Sequence, residues 1–395
     1  MRDWEYLSKG RGIGGEIKNS PEDFLVEEIS PEGEVFELYS KIEKEDQGKK
    51  YTHFILQKKD WSTSGALRRI AKALRVGQKR FSYAGTKDKF AVTTQLASVF
   101  GVPKEKVSSL ALMDIQINGA WGAEEKIKLG DLTGNRFRIS WKGDDDSPEE
   151  KTEKIYSELE GKFPNYFGPQ RFGSTRRNTH RVGELILRGK MDEAAMHFLA
   201  EAGEEEHKVA REARAHLLSS GDFSAALREF PKHLRLERSM LAYLSENSGD
   251  FAGAFRRLPR YTLLLFVHAF QSFLFNEALS ERIKDGMIRR EDGEYYCDSD
   301  FYGFPEPEKP GTEWLCGKLL GYDSQPNERE KELLEKHNIS LDAFRVKVLP
   351  ELSSKGSFRP FLCPIKDFGF SSNTFSFSLP AGAYATSALR EFMKG

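Results

Sequence analysis

The sequence predicts an α+β protein in which a largely helical domain interrupts a strand-rich one. Three observations carry this reading. Short β-branched and aromatic runs dominate the first third of the chain. Helical periodicity takes over from about Gly183 to Ile283. The chain then returns, at residues 374–379, to the alternation Thr-Phe-Ser-Phe-Ser-Leu. That pattern is a half-buried strand, and it must pair back into the first sheet because a lone strand is not stable.

In chain order, residues 24–27 and 51–56 read as strands bounded by Pro, Gly and charged segments. A helix follows near Ser64. Leu67, Ile70, Ala71 and Leu74 fall at i, i+3, i+4 and i+7, and Ser62, Thr63 or Ser64 can cap it. Its outer face and the turn beyond carry Arg68, Arg69, Lys72, Arg75, Lys79 and Arg80, with no acid between Ala66 and Arg80. Residues 81–84 read as a strand, 85–89 (Gly-Thr-Lys-Asp-Lys) as a turn and 137–141 as a strand. The acidic stretch 144–150 reads as a long solvated turn. After Gly173 the composition shifts to helices, the longest being 261–283. Residues 289–327, rich in Gly, Pro and acids, read as loop. A short helix at 385–393 closes the chain. The expected division is 1–173 plus 356–395 for the strand-rich domain and 174–355 for the insertion. No repeat of 20 to 50 residues is visible.

The chain has 395 residues, a length suited to about two to three domains of roughly 150 residues. Against 60 Lys and Arg stand 61 Asp and Glu, so a globally basic nucleic-acid binder is excluded. A binder that sorts its charges by position is not. Cys297, Cys316 and Cys363 lie too far apart for a disulfide framework or a structural zinc site. The first residues lack the apolar run of a signal peptide. The apolar stretch 263–275, broken by His268, Gln271 and Ser272, falls short of the roughly 20 residues that cross a bilayer. These readings lead to the expectation of a cytoplasmic protein with no membrane association.

Residues 10–15 contain G-x-G-x-x-G, but no apolar strand precedes it and Pro21 follows closely, so a basic loop suits it better than a dinucleotide site. The eight histidines form no i, i+4 pair, and no metal site is expected. A second positive cluster, Arg171, Arg176, Arg177, Arg181, Arg188 and Lys190, is opposed only by Glu184. Two such patches in a near-neutral chain are what a phosphate backbone would reward, although a basic helix face is ordinary in itself. Asp88 sits in the turn after a strand, flanked by Lys87 and Lys89. Neighbouring cations would keep it ionised, as a nucleophile or base requires; the alternative is a turn aspartate bonded to its own backbone. Residues 165–173 combine an amide, aromatic rings, Gly hinges and an Arg. That mix suits a flat heterocycle, or simply an aromatic core beside a loop.

Together, Ala84-Gly85-Thr86-Lys87-Asp88-Lys89-Phe90-Ala91 and Asn165-Tyr166-Phe167-Gly168 with Gln170-Arg171-Phe172-Gly173 resemble the two signature motifs of the tRNA pseudouridine synthase D family. Lys18 with Pro21-Glu22-Asp23-Phe24, Gly134-Asn135-Arg136-Phe137, Phe273-Leu274-Phe275-Asn276 and Leu379 to Ser387 resemble further motifs, in order from one end to the other. The continuation through Arg176-Arg177 resembles the archaeal and eukaryotic branch.

The resemblance implies a pseudouridine synthase fold, a mixed and mainly antiparallel sheet with a central cleft, interrupted by the family's helical domain. It implies Asp88 as the catalytic aspartate, Lys18 as its cation, and Phe24 and Tyr384 as the lining of a uracil pocket. Asn165 would bond the flipped nucleotide and Phe167 would stack on it. Arg68, Arg69, Lys72, Arg171, Arg176 and Arg177 would meet the RNA backbone. The substrate implied is tRNA, most simply uridine 13 in the D-arm region, and isomerisation requires no cofactor. No obligatory protein partner is evident, and a monomer is the default. The alternative is an RNA-binding or RNA-folding protein of the same fold with another RNA target.

Overall fold

The computed structural model describes residues 4–173 and 175–394. Residues 1–3, Ser174 (the expected start of the insertion) and Gly395 lie outside the described residues. In chain order the elements begin with β1 (Glu16–Ile17), β2 (Phe24–Ile29), β3 (Tyr51–Lys59), α1 (Thr63–Ala73), β4 (Phe81–Tyr83) and β5 (Val92–Phe100). There follow α2 (Lys104–Ser108), β6 (Ile115–Ala123), β7 (Gly134–Lys142), α3 (Pro148–Glu158) and β8 (Lys162–Pro164). The helical run is α4 (Thr179–Leu187), α5 (Met191–Ala200), α6 (Lys208–Ser220), α7 (Phe223–Glu229), α8 (Arg235–Glu246), α9 (Phe251–Phe255) and α10 (Arg260–Lys284). Next come β9 (Tyr295–Ser299), β10 (Pro305–Pro310), β11 (Trp314–Leu319), α11 (Glu328–Lys336) and β12 (Ser357–Pro360). The last are β13 (Leu362–Pro364), β14 (Lys366–Ser371), β15 (Thr374–Pro380) and α12 (Ala385–Met393).

The fold is α+β. Among the described residues nine strands form a sheet of order β14-β15-β7-β2-β5-β3-β6, with β1 added to β7 and β4 to β5. Its pairings are antiparallel except β2 with β5. The terminal strand does return to this sheet: β15 pairs along β7 from Thr374 opposite Ser140 to Pro380 opposite Gly134. Its alternation puts Phe375, Phe377 and Leu379 into one core with Phe24, Phe137 and Ile139, closed by Leu389 and Phe392 of α12. Residues 10–15 form a loop tied down on α12. Ile13 and Gly14 donate to the carbonyls of Phe392 and Met393 at 2.9 and 2.8 Å, and a Cβ on Gly12 would lie 2.4 Å from Met393 O.

The sheet unit comprises Leu7–Asn165, Ser299–Glu306 and the chain from Leu362 on; the helical unit comprises the N-terminal residues to Tyr6, Tyr166–Asp298 and Pro307–Phe361. Within the helical unit α10 is the central core element. Its 25 residues are long and apolar enough to cross a membrane by length and composition, but 78% of its most apolar window is buried inside the protein. Residues 289–327 are not loop throughout, for they carry three strands. β9, β10, β11 and β12 form a second sheet of order β10-β9-β11-β12. The Gly and Asp residues that suggested loop serve its turns: Asp298 Oδ1 accepts from Thr312 N–H at 2.9 Å.

A candidate active site at the Asp88 turn

β4 and β5 are consecutive and antiparallel, so the chain between them must reverse, and Asp88 lies in that reversal. Three elements hold its backbone. Thr63, the first residue of α1, accepts from Lys87 N–H at 3.0 Å and donates to Gln95 Oε1 at 2.9 Å. Gln95 of β5 donates in turn to Gly85 O at 2.9 Å. Lys58, near the end of β3, donates its ammonium to Asp88 O at 2.7 Å. A backbone fixed this way aims the carboxylate outward, where its side chain keeps 37% exposure.

Lys18 meets it there, Nζ to Oδ1 at 3.2 Å, and the same ammonium sits 3.6 Å over the Phe24 ring. A cation shared between a carboxylate and an aromatic face is held more firmly than one on a bare ion pair. Lys18 reaches this place with φ +64°, the left-handed region that a non-glycine residue enters at a cost of about 1–3 kcal/mol. The turn Ser20 to Asp23 after it is closed by Ser20 N–H donating to Asp23 Oδ2 at 2.7 Å, and it delivers Phe24 into β2. Phe24 is buried, edge-on to Phe137, with Lys18 covering its outer side.

The flanking lysines do not act as the sequence suggested. Lys87 turns inward to Glu28, Nζ to Oε2 at 2.6 Å, in a buried pair. Burial pushes the Glu28 carboxyl above its usual range, and Lys87 pulls against it. Lys89 is exposed. The cation that sequence reasoning missed is Lys58. Burial drives its ammonium down to about 8, with the charge of Asp88 opposing. Its only signal was one of two lysines at the end of the strand, where a solvated end is the ordinary reading.

Asn165 and Tyr384 belong to the same unit as Asp88. Asn165 is buried just after β8, and Tyr384 is half-buried at the start of α12, its carbonyl accepting from Ser387 N–H at 2.9 Å. Phe167 belongs to the helical unit. Asn276 clasps its backbone, accepting from Phe167 N–H at 2.8 Å and donating to Phe167 O at 3.0 Å. The guanidinium groups of Arg359 and Arg171 lie 4.0 and 5.3 Å from its ring centre, and Arg359 was not foreseen.

The two basic patches fare differently. On α1 and in the turn just after it, Arg68, Arg69, Lys72 and Arg75 all face solvent. In the second cluster the charges are mostly used internally. Arg176 donates to Phe198 O at 2.5 Å and pairs with Glu237 at 3.2 Å, so it is withdrawn from any RNA backbone. Arg181 and Arg188 converge on buried Glu184 at 2.5 and 2.6 Å, and Lys190 pairs with Glu193. Arg171 donates to Ser272 Oγ at 3.0 Å. Arg177 is exposed.

An outward carboxylate on a rigid turn, countered by one cation and backed by a second, can attack an electrophilic carbon or take a proton. Comparison with known proteins narrows this chemistry. Residues 4–392 match the family model described as tRNA pseudouridine synthase D (TruD). A probable tRNA pseudouridine synthase D of Thermococcus sibiricus is 37% identical over 99% of this chain and 98% of its own. One of Archaeoglobus fulgidus is 39% identical over 98% and 97%. The crystal structure of a candidate tRNA pseudouridine synthase D from Methanosarcina mazei matches with a TM-score of 0.75 and 33% identity, covering 99% of this chain and 96% of that one.

Proposed function

The chain belongs to the tRNA pseudouridine synthase D family and acts as a tRNA pseudouridine synthase, and we propose that its target is uridine 13 in the D-arm region, with Asp88 as the catalytic carboxylate. The observation that carries the role of Asp88 is the contact of its carboxylate with Lys18 on a turn fixed by Thr63, Gln95 and Lys58. Isomerisation breaks the N1–C1′ bond of uridine and forms a C5–C1′ bond. The C5 proton is lost and N1 gains one, so the reaction is balanced without a donor or oxidant. A carboxylate can serve it by adding to sugar or base, or by removing a sugar proton.

The target base must leave its stack first, which costs a few kcal/mol. Tyr384 and Asn165 are the residues of the sheet unit that would receive it, the first by ring contact and the second by a hydrogen bond to the base edge. Lys18 would keep Asp88 ionised and oriented until the base arrives.

The test is tritium release from tRNA transcripts labelled at uridine C5. Wild type is expected to release tritium and Asp88→Ala to release none while binding the transcript with nearly unchanged affinity. A transcript with cytidine at position 13 is expected to lose the release. Equal release by Asp88→Ala would remove the carboxylate from the chemistry. Undiminished release from the cytidine-13 transcript would remove that position as the target.

A further inference from the structure

Phe100 closes β5 and is 43% exposed. Around it is a cleft of about 350 Å³ lined by the rings of Tyr51, Phe81 and Phe100, the cations Lys79, Arg80 and Lys126, and Ser82. That volume falls within the roughly 300–1,000 Å³ of small-ligand sites. The strand register builds it: Tyr51 is opposite Phe100 across β3 and β5, and Phe81 is opposite Val99 across β4 and β5. Tyr51 meets Phe100 edge-on at 5.3 Å. The Arg80 guanidinium lies 5.5 Å from the same ring and is steadied by a 3.2 Å bond to Gly101 O. Acids near the rim are engaged elsewhere, Glu125 with Lys128 at 3.4 Å and Glu124 with Lys49 N–H at 3.0 Å.

Rings beside cations, with no carboxylate among the lining residues, are the chemistry of an unstacked nucleotide: a π-face for the base and ammonium groups for its phosphate. We propose that this cleft is a second RNA-binding site that takes one unpaired nucleotide of the same tRNA whose uridine reaches Asp88. The proposal rests on the tRNA reading above. β5 separates the two places, since Asp88 lies in the turn four residues before its first residue, Val92, and Phe100 is its last. Eight steps of about 3.3 Å give β5 a length of about 26 Å, too far for one nucleotide to span and within the reach of one folded RNA. The basic face of α1 links them, because Arg68 Nε donates to Gln78, beside Lys79, at 3.3 Å.

The test compares the affinity of the full-length protein for an unmodified tRNA transcript among wild type, Phe100→Ala, Phe100→Tyr and Lys79→Ala/Lys126→Ala, each checked for an unchanged melting temperature. Phe100→Ala should weaken binding by about 5- to 150-fold, the range for loss of one base–aromatic stack. Phe100→Tyr, which keeps the ring, should restore it. The lysine pair should lower the slope of log affinity on log salt by about 1–2, one or two phosphate contacts' worth. Affinity for Phe100→Ala within twofold of wild type, or Phe100→Tyr as weak as Phe100→Ala, would overturn the proposal. Tritium release by wild type, followed in parallel, tests the isomerase reading separately; its absence beside the affinity loss would fell that reading alone.

Discussion

Lys18 and Lys58 both approach Asp88, but at different atoms. Lys18 touches the carboxylate and Lys58 the backbone oxygen. Replacing Lys58 by Met keeps its length and removes a charge-assisted bond, which contributes roughly 1.5–3 kcal/mol. If the fixed turn matters to the chemistry, Lys58→Met should lower the single-turnover rate of isomerisation by roughly 10- to 100-fold, the same energy read as a rate. The pH dependence sharpens this. Because the folded value, about 8, lies below the ordinary 10.5, Lys58 loses its proton in the folded enzyme first. The wild-type rate should fall as pH rises through about 8, and that limb should vanish in Lys58→Met. Stability moves the other way. The burial penalty is fully present below about 8 and is relieved as pH climbs toward 10.5, so the wild type should gain stability over that window relative to Lys58→Met. A rate and a melting curve that are both flat across pH 8 would show that this ammonium does not titrate there.

Individual helices store charge in ways that also respond to pH. His337, just past α11, places Nε2 2.9 Å from Glu277 of α10 and Nδ1 3.7 Å from Glu184 of α4. Glu184 and Glu277 hold its imidazole up at about 8 against burial. Burial pushes Glu184 up, but His337, Arg181 and Arg188 outweigh it and hold that carboxyl at about 2. His180, stacked on Phe273 at 4.7 Å, is driven down to about 4 by burial and stays neutral. Lys336 also faces Glu277, at 2.6 Å. A raised histidine contributes stability that is complete below about 6.5 and is lost as pH rises through about 8, here about 2 kcal/mol. Thermal melts from pH 6 to 9 should show this decline in wild type and not in His337→Gln. Helix by helix, what was legible in the sequence was what a local pattern records. The apolar spacing and Ser62 cap of α1, which bonds Gly65 N–H, mark that helix, and the strict alternation of β15 marks that strand. β5 went unread because it is buried on both faces: Thr93, Thr94, Gln95 and Ser98 are interior and break any alternation. The second arginine cluster misled for a related reason. Glu237, which neutralises Arg176, is 61 residues away. Salt titration separates the two patches. Arg68→Ala/Arg69→Ala/Lys72→Ala should lower the log–log slope of tRNA binding by about 2–3, near 0.9 per phosphate, whereas Arg176→Ala should leave the slope alone and lower the melting temperature.

At the scale of the whole chain, the sheet that carries Asp88 is completed by a strand almost 300 residues further on, β15. β15 is sandwiched between β14 and β7, and β7 in turn borders β2, the strand that begins with Phe24. Removing residues 374–395 would strip the apolar side chains Phe375, Phe377, Leu379, Leu389 and Phe392 from one core. At about 1.5–3 kcal/mol each the loss is comparable to the roughly 5–15 kcal/mol that keeps an ordinary domain folded. It would also expose the edge of β7, unpaired N–H and C=O groups in a row, as a template for aggregation. Within the site the effect is direct, because β7 supplies Phe137, the ring that supports Phe24 beneath Lys18, and Tyr384 is the N-cap of α12. Residues 1–373 expressed alone should therefore form no cooperatively melting sheet unit and release no tritium from C5-labelled tRNA. Supplying residues 374–395 as a separate peptide should restore some soluble, cooperatively melting protein, since the missing strand has a defined partner and register along β7. A soluble 1–373 fragment with a sharp melt and wild-type release would show that the Asp88 turn and its lysines are positioned by β3, β5 and α1 alone, with the terminal strand no more than a cover.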